Sequence, residues 1–337
     1  MPRRLTLHDV ADYAEVSVTT VSNVIRDWPY ISDETREKVQ RAIQELGYTP
    51  HPIAQGLRTG LTQVIGFIAP SLADPYFASM VSVAEDAVRQ RGYSLLVFNT
   101  CEDEDREGES IRQASQRWVD GLLIAQVAAG KFTTDVVSKV NVPVVAIDRI
   151  PDGFTGPSCR VDNLRVGELV MQHLYELSHR KIAHLAGPST VRPARERLEA
   201  YQLARRLSGL TYERIVFVSS LWDYHEGYRA MQQVLADDIL PTAIFASNDR
   251  IAIGASHAIR DRGLRVPEDI SVVGVDDIEV SEYLNPPLTT VHQPIEDMAR
   301  AGIDLLLRLL RNEAPDDIHW VLQPSLMVRQ STQVARI

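Results

Sequence analysis

Polar and aromatic side chains recur where a series of short apolar runs gives out. Asp74, Tyr76 and Phe77 follow VIGFIA, Asp148 follows VPVVAI, and Asp162, Asn163, Arg197, Trp222, Asn248, Asp276 and Gln293 hold comparable places further along. A carboxylate such as Asp276 accepts hydrogen bonds from two vicinal hydroxyls, Arg197 donates in a planar fork, and Trp222 offers a flat apolar face. Together such groups suit a small polar ring such as a sugar. Each also has a plainer role open to it: Asn248 and Asp162 as helix caps, Arg197 as one more surface charge in the ARER run, Tyr76 and Phe77 as core. The case for a site is their joint placement around one cleft.

The elements that must position them alternate between β-branched runs and amphipathic helices from Val64 onward. The first series is VIGFIA, a helix over Tyr76 to Arg91, YSLLVF, a helix over Asp105 to Arg117, GLLIA and VPVVAI. The second is a helix over Leu164 to Leu177, KIAHLA, a helix over Ala194 to Leu207, RIVFV, a helix over Tyr224 to Ala236, TAIFA, a helix over Asp249 to Arg262, and ISVVGV. This alternation predicts two doubly wound α/β units with parallel sheets, and a ligand outside the carboxyl ends of the strands, between the lobes. LTTVHQ, a helix over Ile295 to Arg311, IHWVL and LMVRQ follow. No GxGxxG opens a helix after the first strand, and GxxxxGKS/T, GxSxG and HExxH do not occur, so an enzyme is not expected.

Ahead of these series lie three short helical segments. Thr6 and Asp9 have capping-box spacing, and Leu7, Val10, Ala11 and Ala14 then recur on one helical face. After a turn at Glu15-Val16, Ser17 caps a second helix with Val21 and Val24 inward and Val18, Thr19, Ser22 and Asn23 outward. A third helix starts at Ser32, turns Val39, Ile43 and Leu46 inward, and stops at Gly47. Small residues at Ala11 and Ala14 let the first two helices cross closely, the geometry that lays a second helix in a DNA major groove. An ordinary helical bundle shares these features.

The residues decide between the two. TLHDVADYAEVSVTTVSNVI, then ISDETREKVQRAIQELGYTPHPIAQGLR, resembles the headpiece and hinge of the lactose/purine-repressor family of bacterial transcription regulators, and the resemblance continues nearly to the last strand. It implies a helix-turn-helix headpiece over 1–49, a hinge over 50–60, and a two-lobed, periplasmic-binding-protein-like core. One lobe would comprise 61–161 plus 293–323 and the other 162–292 plus 324–330. By this resemblance Thr6, Ser17, Thr20 and Ser22 position the headpiece on phosphates, and Val18, Thr19 and Asn23 face bases, where asparagine pairs with adenine and methyl groups meet thymine. Tyr30, His51 and Ala54 are further DNA candidates, and Leu57 stands where the family wedges a leucine into the minor groove. The hinge segment is short and carries Gly56, so it is expected to be disordered without DNA. The same resemblance makes Tyr76, Phe77, Arg197, Trp222 and Asp276 contacts for a small-molecule effector, a sugar or a purine, and Asp148, Asp162, Asn248 and Gln293 join them by their placement at the ends of strands.

Composition is compatible and little more. With 337 residues, 45% apolar and 24% charged, the chain is a soluble protein of two or three domains. The net charge of −10 argues against nucleic acid at face value, and residues 1–60 hold seven Lys or Arg against eight Asp or Glu. Groove binding depends on where charge sits, however, and Arg3, Arg4, Arg26 and Arg58 flank the proposed reading helix. Cys101 and Cys159 form no disulfide framework and no CxxC pair, and neither a metal nor a cofactor is expected. No apolar span or export signal is present, which predicts a cytoplasmic protein without membrane contact. No heptads follow Ser331, so a homodimer on a pseudo-palindromic operator is expected. Two other readings share the core: a sugar receptor of the periplasmic type, which would lack the headpiece, and a regulator whose co-effector is a protein.

Overall fold

A computed structural model describes residues 5–25, 28–48, 61–117, 119–126, 132–219, 221–313 and 317–336. The chain divides into two compact units, Met1–Thr62 and Gln63–Ile337.

The first unit holds helices α1 (Leu7–Tyr13), α2 (Val18–Ile25) and α3 (Asp33–Leu46). The capping box closes as its spacing predicts: the Asp9 amide donates to Thr6 Oγ1 at 3.4 Å and the Thr6 amide to Asp9 Oδ2 at 2.7 Å. Glu15, at φ 48°, makes the sharp turn into α2, where Ser17 Oγ accepts the Thr20 amide at 3.0 Å. Gly47 ends α3 at φ 63°, a conformation that a side chain strains. Val10, Ala11, Val21 and Val39 meet in a small apolar core. The Tyr13 hydroxyl donates to Glu45 at 2.7 Å and Lys38 pairs with Glu15 at 3.2 Å, which ties α3 to α1 and its turn.

The second unit begins with β1 (Val64–Ala69), α4 (Pro75–Arg89), β2 (Ser94–Asn99), α5 (Glu104–Arg117), β3 (Gly121–Ile124), α6 (Phe132–Val137), β4 (Val144–Ile147) and β5 (Ser158–Val161). It continues with α7 (Asn163–Glu176), β6 (Ile182–Ala186), α8 (Arg192–Leu207), β7 (Arg214–Phe217), α9 (Tyr224–Leu235), β8 (Ala243–Ala246), α10 (Asp249–Asp261) and β9 (Ser271–Asp276). It closes with β10 (Thr289–His292), α11 (Ile295–Leu310), β11 (His319–Leu322) and β12 (Ser325–Met327).

Two six-stranded sheets result, ordered β11-β5-β4-β3-β1-β2 and β12-β10-β9-β8-β6-β7. The first is wholly parallel; in the second only the edge strand β12 runs antiparallel, against β10. Central strands such as β3, β6, β8 and β9 are buried along their whole length, as strands covered by helices on both faces must be, so they read as continuous apolar runs. The chain crosses between sheets at Asp162, at Gln293-Pro294 and at Gln323-Pro324. Helix α11 follows the second crossing and packs on β3, β4, β5 and α4, so neither lobe is contiguous in sequence. Each crossing is one or two residues long.

Candidate functional site

In the headpiece unit, α2 presents Thr19 to solvent and leaves Val18, Thr20 and Asn23 half-buried. Val18 packs on the edge of the headpiece core. Ser22 departs from its expected outward placement: it is buried, at 6% exposure. Contacts from both α1 and α3 cover more of α2 than the narrow Val21/Val24 stripe, and Ser22 falls inside that wider face. Thr6 and Ser17 are exposed, with hydroxyls engaged in local caps, and Tyr30 is 86% exposed. His51, Ala54 and Leu57 lie outside the described residues, as does the whole expected hinge segment 50–60.

In the core unit, one narrow cavity of about 30 Å³ is lined from both lobes at the carboxyl ends of the strands. Tyr76, Phe77, Asp148, Arg197, Trp222, Asn248, Asp276 and Gln293 all line it. Asp162 does not; it occupies the first crossover, where its Oδ1 accepts the Arg165 amide at 3.1 Å and caps α7. Asp74, Arg149 and Pro193 complete the lining. Sequence reasoning passes over Arg149, because an arginine beside an aspartate reads as surface charge; its adjacency to Asp148 at a strand end was the one available signal.

The polar groups are held by the scaffold rather than left to find their own positions. The Tyr76 hydroxyl donates to Asp148 at 2.7 Å. Arg197 Nε donates to Asn163 Oδ1 at 2.8 Å and its Nη1 to the Ser247 carbonyl at 2.5 Å, which orients the guanidinium from behind. Arg149 pairs with Glu102 at 2.9 Å, with both side chains under 10% exposed, and lies over the rings of Phe77 and Trp222. Asn248 does cap α10, accepting the Ile251 amide at 2.8 Å, yet its Nδ2 also donates to the Trp222 carbonyl at 3.1 Å.

Three lining residues, Asp148, Trp222 and Asp276, have positive φ, at 59°, 50° and 118°. Such conformations cost on the order of 1–3 kcal/mol each and persist where the surrounding structure over-determines them, often at ligand sites. Burial pushes the Asp276 carboxyl well above the ordinary carboxylate range against the pull of Arg197, and raises Asp148 against Arg149 and the Tyr76 hydroxyl. Carboxyl groups so removed from water gain most from donors brought by a ligand. Trp222 Nε1 and Gln293 Oε1, a donor and an acceptor, are buried without a protein partner among the described residues. The arrangement gathers acceptors, a guanidinium donor and aromatic faces around one cavity.

Comparison with known proteins follows both units. Residues 6–51 match the family model for bacterial regulatory proteins of the lacI family, and residues 171–332 that for a periplasmic binding protein-like domain. Over 97% of its length the chain is 35% identical to the ribose operon repressor of Escherichia coli (strain K12), covering 99% of that protein. Over a like share it is 33% identical to the HTH-type transcriptional repressor PurR of Pasteurella multocida (strain Pm70), covering 98% of it. A lac repressor dimer solved bound to operator and the anti-inducer ONPF matches with a TM-score of 0.89 at 33% identity, over 98% of this chain and 100% of that one. No described helix is long and apolar enough to cross a membrane. With the helical headpiece and the two-sheet core both accounted for along nearly the whole chain, this protein belongs to the lacI family of bacterial regulatory proteins.

Proposed function

We propose that the chain is a sequence-specific DNA-binding transcription regulator, a repressor acting as a homodimer in the cytoplasm, whose operator affinity is set by a sugar or sugar derivative bound between the core lobes. The observation that carries the ligand class is the single cavity that gathers Asp148 and Asp276, Arg197 and Trp222 from two lobes. A ring with vicinal hydroxyls donates to the carboxylates, accepts from the guanidinium, and lays a C–H face on the indole. The ribose operon repressor among the relatives supports the same class.

On the DNA side, Val18, Thr19 and Asn23 are the base-facing residues of α2, with Thr6, Ser17 and Thr20 on phosphates; Ser22, being buried, is left out. Two headpieces on one dimer read a near-palindrome with half-sites about one helical turn, ~10 bp, apart. The cleft binds and releases its ligand unchanged, and ligand-linked lobe closure shifts the core that carries the headpiece. A coupling of about 1–3 kcal/mol gives regulation of ~5 to 150-fold.

Calorimetry of the full chain against a panel of monosaccharides and nucleobases tests the ligand class. A monosaccharide should give saturable heat that Arg197→Met abolishes. Heat from nucleobases alone, or from no small molecule, overturns it.

A further inference from the structure

We infer that Arg250, which does not line the cavity, is a positioning residue that latches the two lobes together through Asp74. Asp74 follows β1 in the first lobe, and Arg250 lies in the first turn of α10 in the second. Arg250 Nη1 donates to Asp74 Oδ2 at 3.1 Å, with the side chains 10% and 6% exposed. The other carboxylate oxygen, Oδ1, accepts the Tyr76 amide at 3.0 Å. Asp74 thus caps α4, the helix that carries Tyr76 and Phe77 into the cavity, and at the same time reaches the opposite lobe.

The position of Arg250 is informative. A cation in the first turn of a helix meets the positive end of the helix dipole and is disfavoured there. Arg250 is held against that bias by the Asp74 carboxylate and by the Tyr224 ring, 5.2 Å from its guanidinium carbon. Among the described residues its Nε is buried without an acceptor, and none of their carboxylates shares the role at that atom. The cavity also brings Asp74 and Asp148 of the first lobe toward Asp276 of the second, and like charges resist that approach. Arg250 sets a positive charge beside Asp74 when the lobes meet. When they part, both groups return to water and the pair is gone, so this bond belongs to the closed cleft. Closure and the placement of a lining carboxylate are therefore one event.

The test uses neither sugar nor DNA, so its outcome is independent of the ligand class proposed above. One spin label is placed on each lobe of the full chain, at the exposed Gln113 and Leu207, with Cys101→Ser and with labelled subunits diluted into unlabelled ones. Electron–electron resonance then reads the interlobe distance. In R250M the short-distance population should fall at least about tenfold, as expected when one partner of a buried pair is removed. R250K should keep it. D74N, which preserves a helix cap, should open the cleft as R250M does, and the double variant should open no further than either single. An unchanged distance in R250M with circular dichroism intact overturns the inference. So does R250K opening as fully as R250M, or an R250M effect that persists undiminished on top of D74N.

Discussion

The Gln293 side-chain amide donates to the Asp276 carboxylate at 2.6 Å, and so ties the acceptor at the end of β9 to the chain segment that crosses between the lobes. Asp276 holds its place in a strained backbone conformation, and among the described residues one buried Gln293 oxygen has no partner. On the function proposed above, a ligand that grips Asp276 would pull on this crossing segment directly, and binding in the cleft and movement of the lobes would share this bond.

Gln293→Leu removes the bond and keeps the bulk. It should weaken sugar binding by about 1–3 kcal/mol, roughly 5 to 150-fold, because the carboxylate loses a donor in a dry site. Operator affinity without sugar should stay near wild type, while its response to sugar shrinks. Calorimetry paired with an operator titration reads both; a full sugar response in the variant contradicts the coupling.

Gly187→Ala tests the seating of Trp222. A Cβ at Gly187 would stand 2.6 Å from Trp222 Cη2, so the indole must move, although Asn248 holds its carbonyl. Overpacking of this kind costs about 1–3 kcal/mol, and urea unfolding should show that loss together with weaker sugar binding. Unaltered binding would mean the indole face takes no part in recognition.

Asn23→Ala should relax base preference at one position in each half-site by about 1–3 kcal/mol of discrimination, with sugar binding unchanged. Competition among single-base operator variants measures it. A uniform loss across all sequences would instead make Asn23 a phosphate contact.

Two buried groups give the core opposing pH dependences. Burial pushes Asp249 up to about 7, partly offset by the hydroxyls of Thr290 and Ser281 and the Ile278 amide, whereas an unfolded aspartate titrates near ~3.9. Its raised native value contributes stability that is full below pH ~4 and lost as pH rises through about 7. Burial pushes His184 down to about 4, against ~6.5 unfolded, so its contribution is full above pH ~6.5 and lost as pH falls through about 4. Over pH ~4 to 6.5 the two cancel in part, each on the order of 3 kcal/mol. Asp249→Asn should leave stability rising with pH across that window, and His184→Gln should leave it falling. Urea unfolding at stepped pH checks both, and parallel slopes in the two variants would contradict the assignment.

Much of this architecture was legible because its signals are local. The Thr6/Asp9 box, the Gly47 stop and the apolar runs of the central strands each lie within a few residues, and the structure places elements there. Strand β5, SCRV, carries little apolar pattern because it lies next to the edge strand β11 and borrows its role from pairing with a segment some 160 residues later. The antiparallel setting of β12 is likewise a property of the fold around it. At the cavity, aromatic and carboxylate residues at strand ends were recognisable by type. Arg149 was not, since only its distant partner Glu102 and the rings of Phe77 and Trp222 distinguish it from a surface arginine. Ser22 and Asp162 show the converse: a polar residue at a suitable spacing can serve packing or a cap instead of a ligand.

The central claim is that the headpiece reads sequence and the cleft ligand sets how tightly. Selection of bound sites by the full-length protein from random duplexes at moderate salt, with and without the sugar that gives heat in calorimetry, tests it most directly. The expected result is a near-palindrome with half-sites ~10 bp apart, whose affinity changes ~5 to 150-fold when the sugar is added. Salt-sensitive adhesion to every duplex alike, with no preferred sequence in either condition, would contradict it.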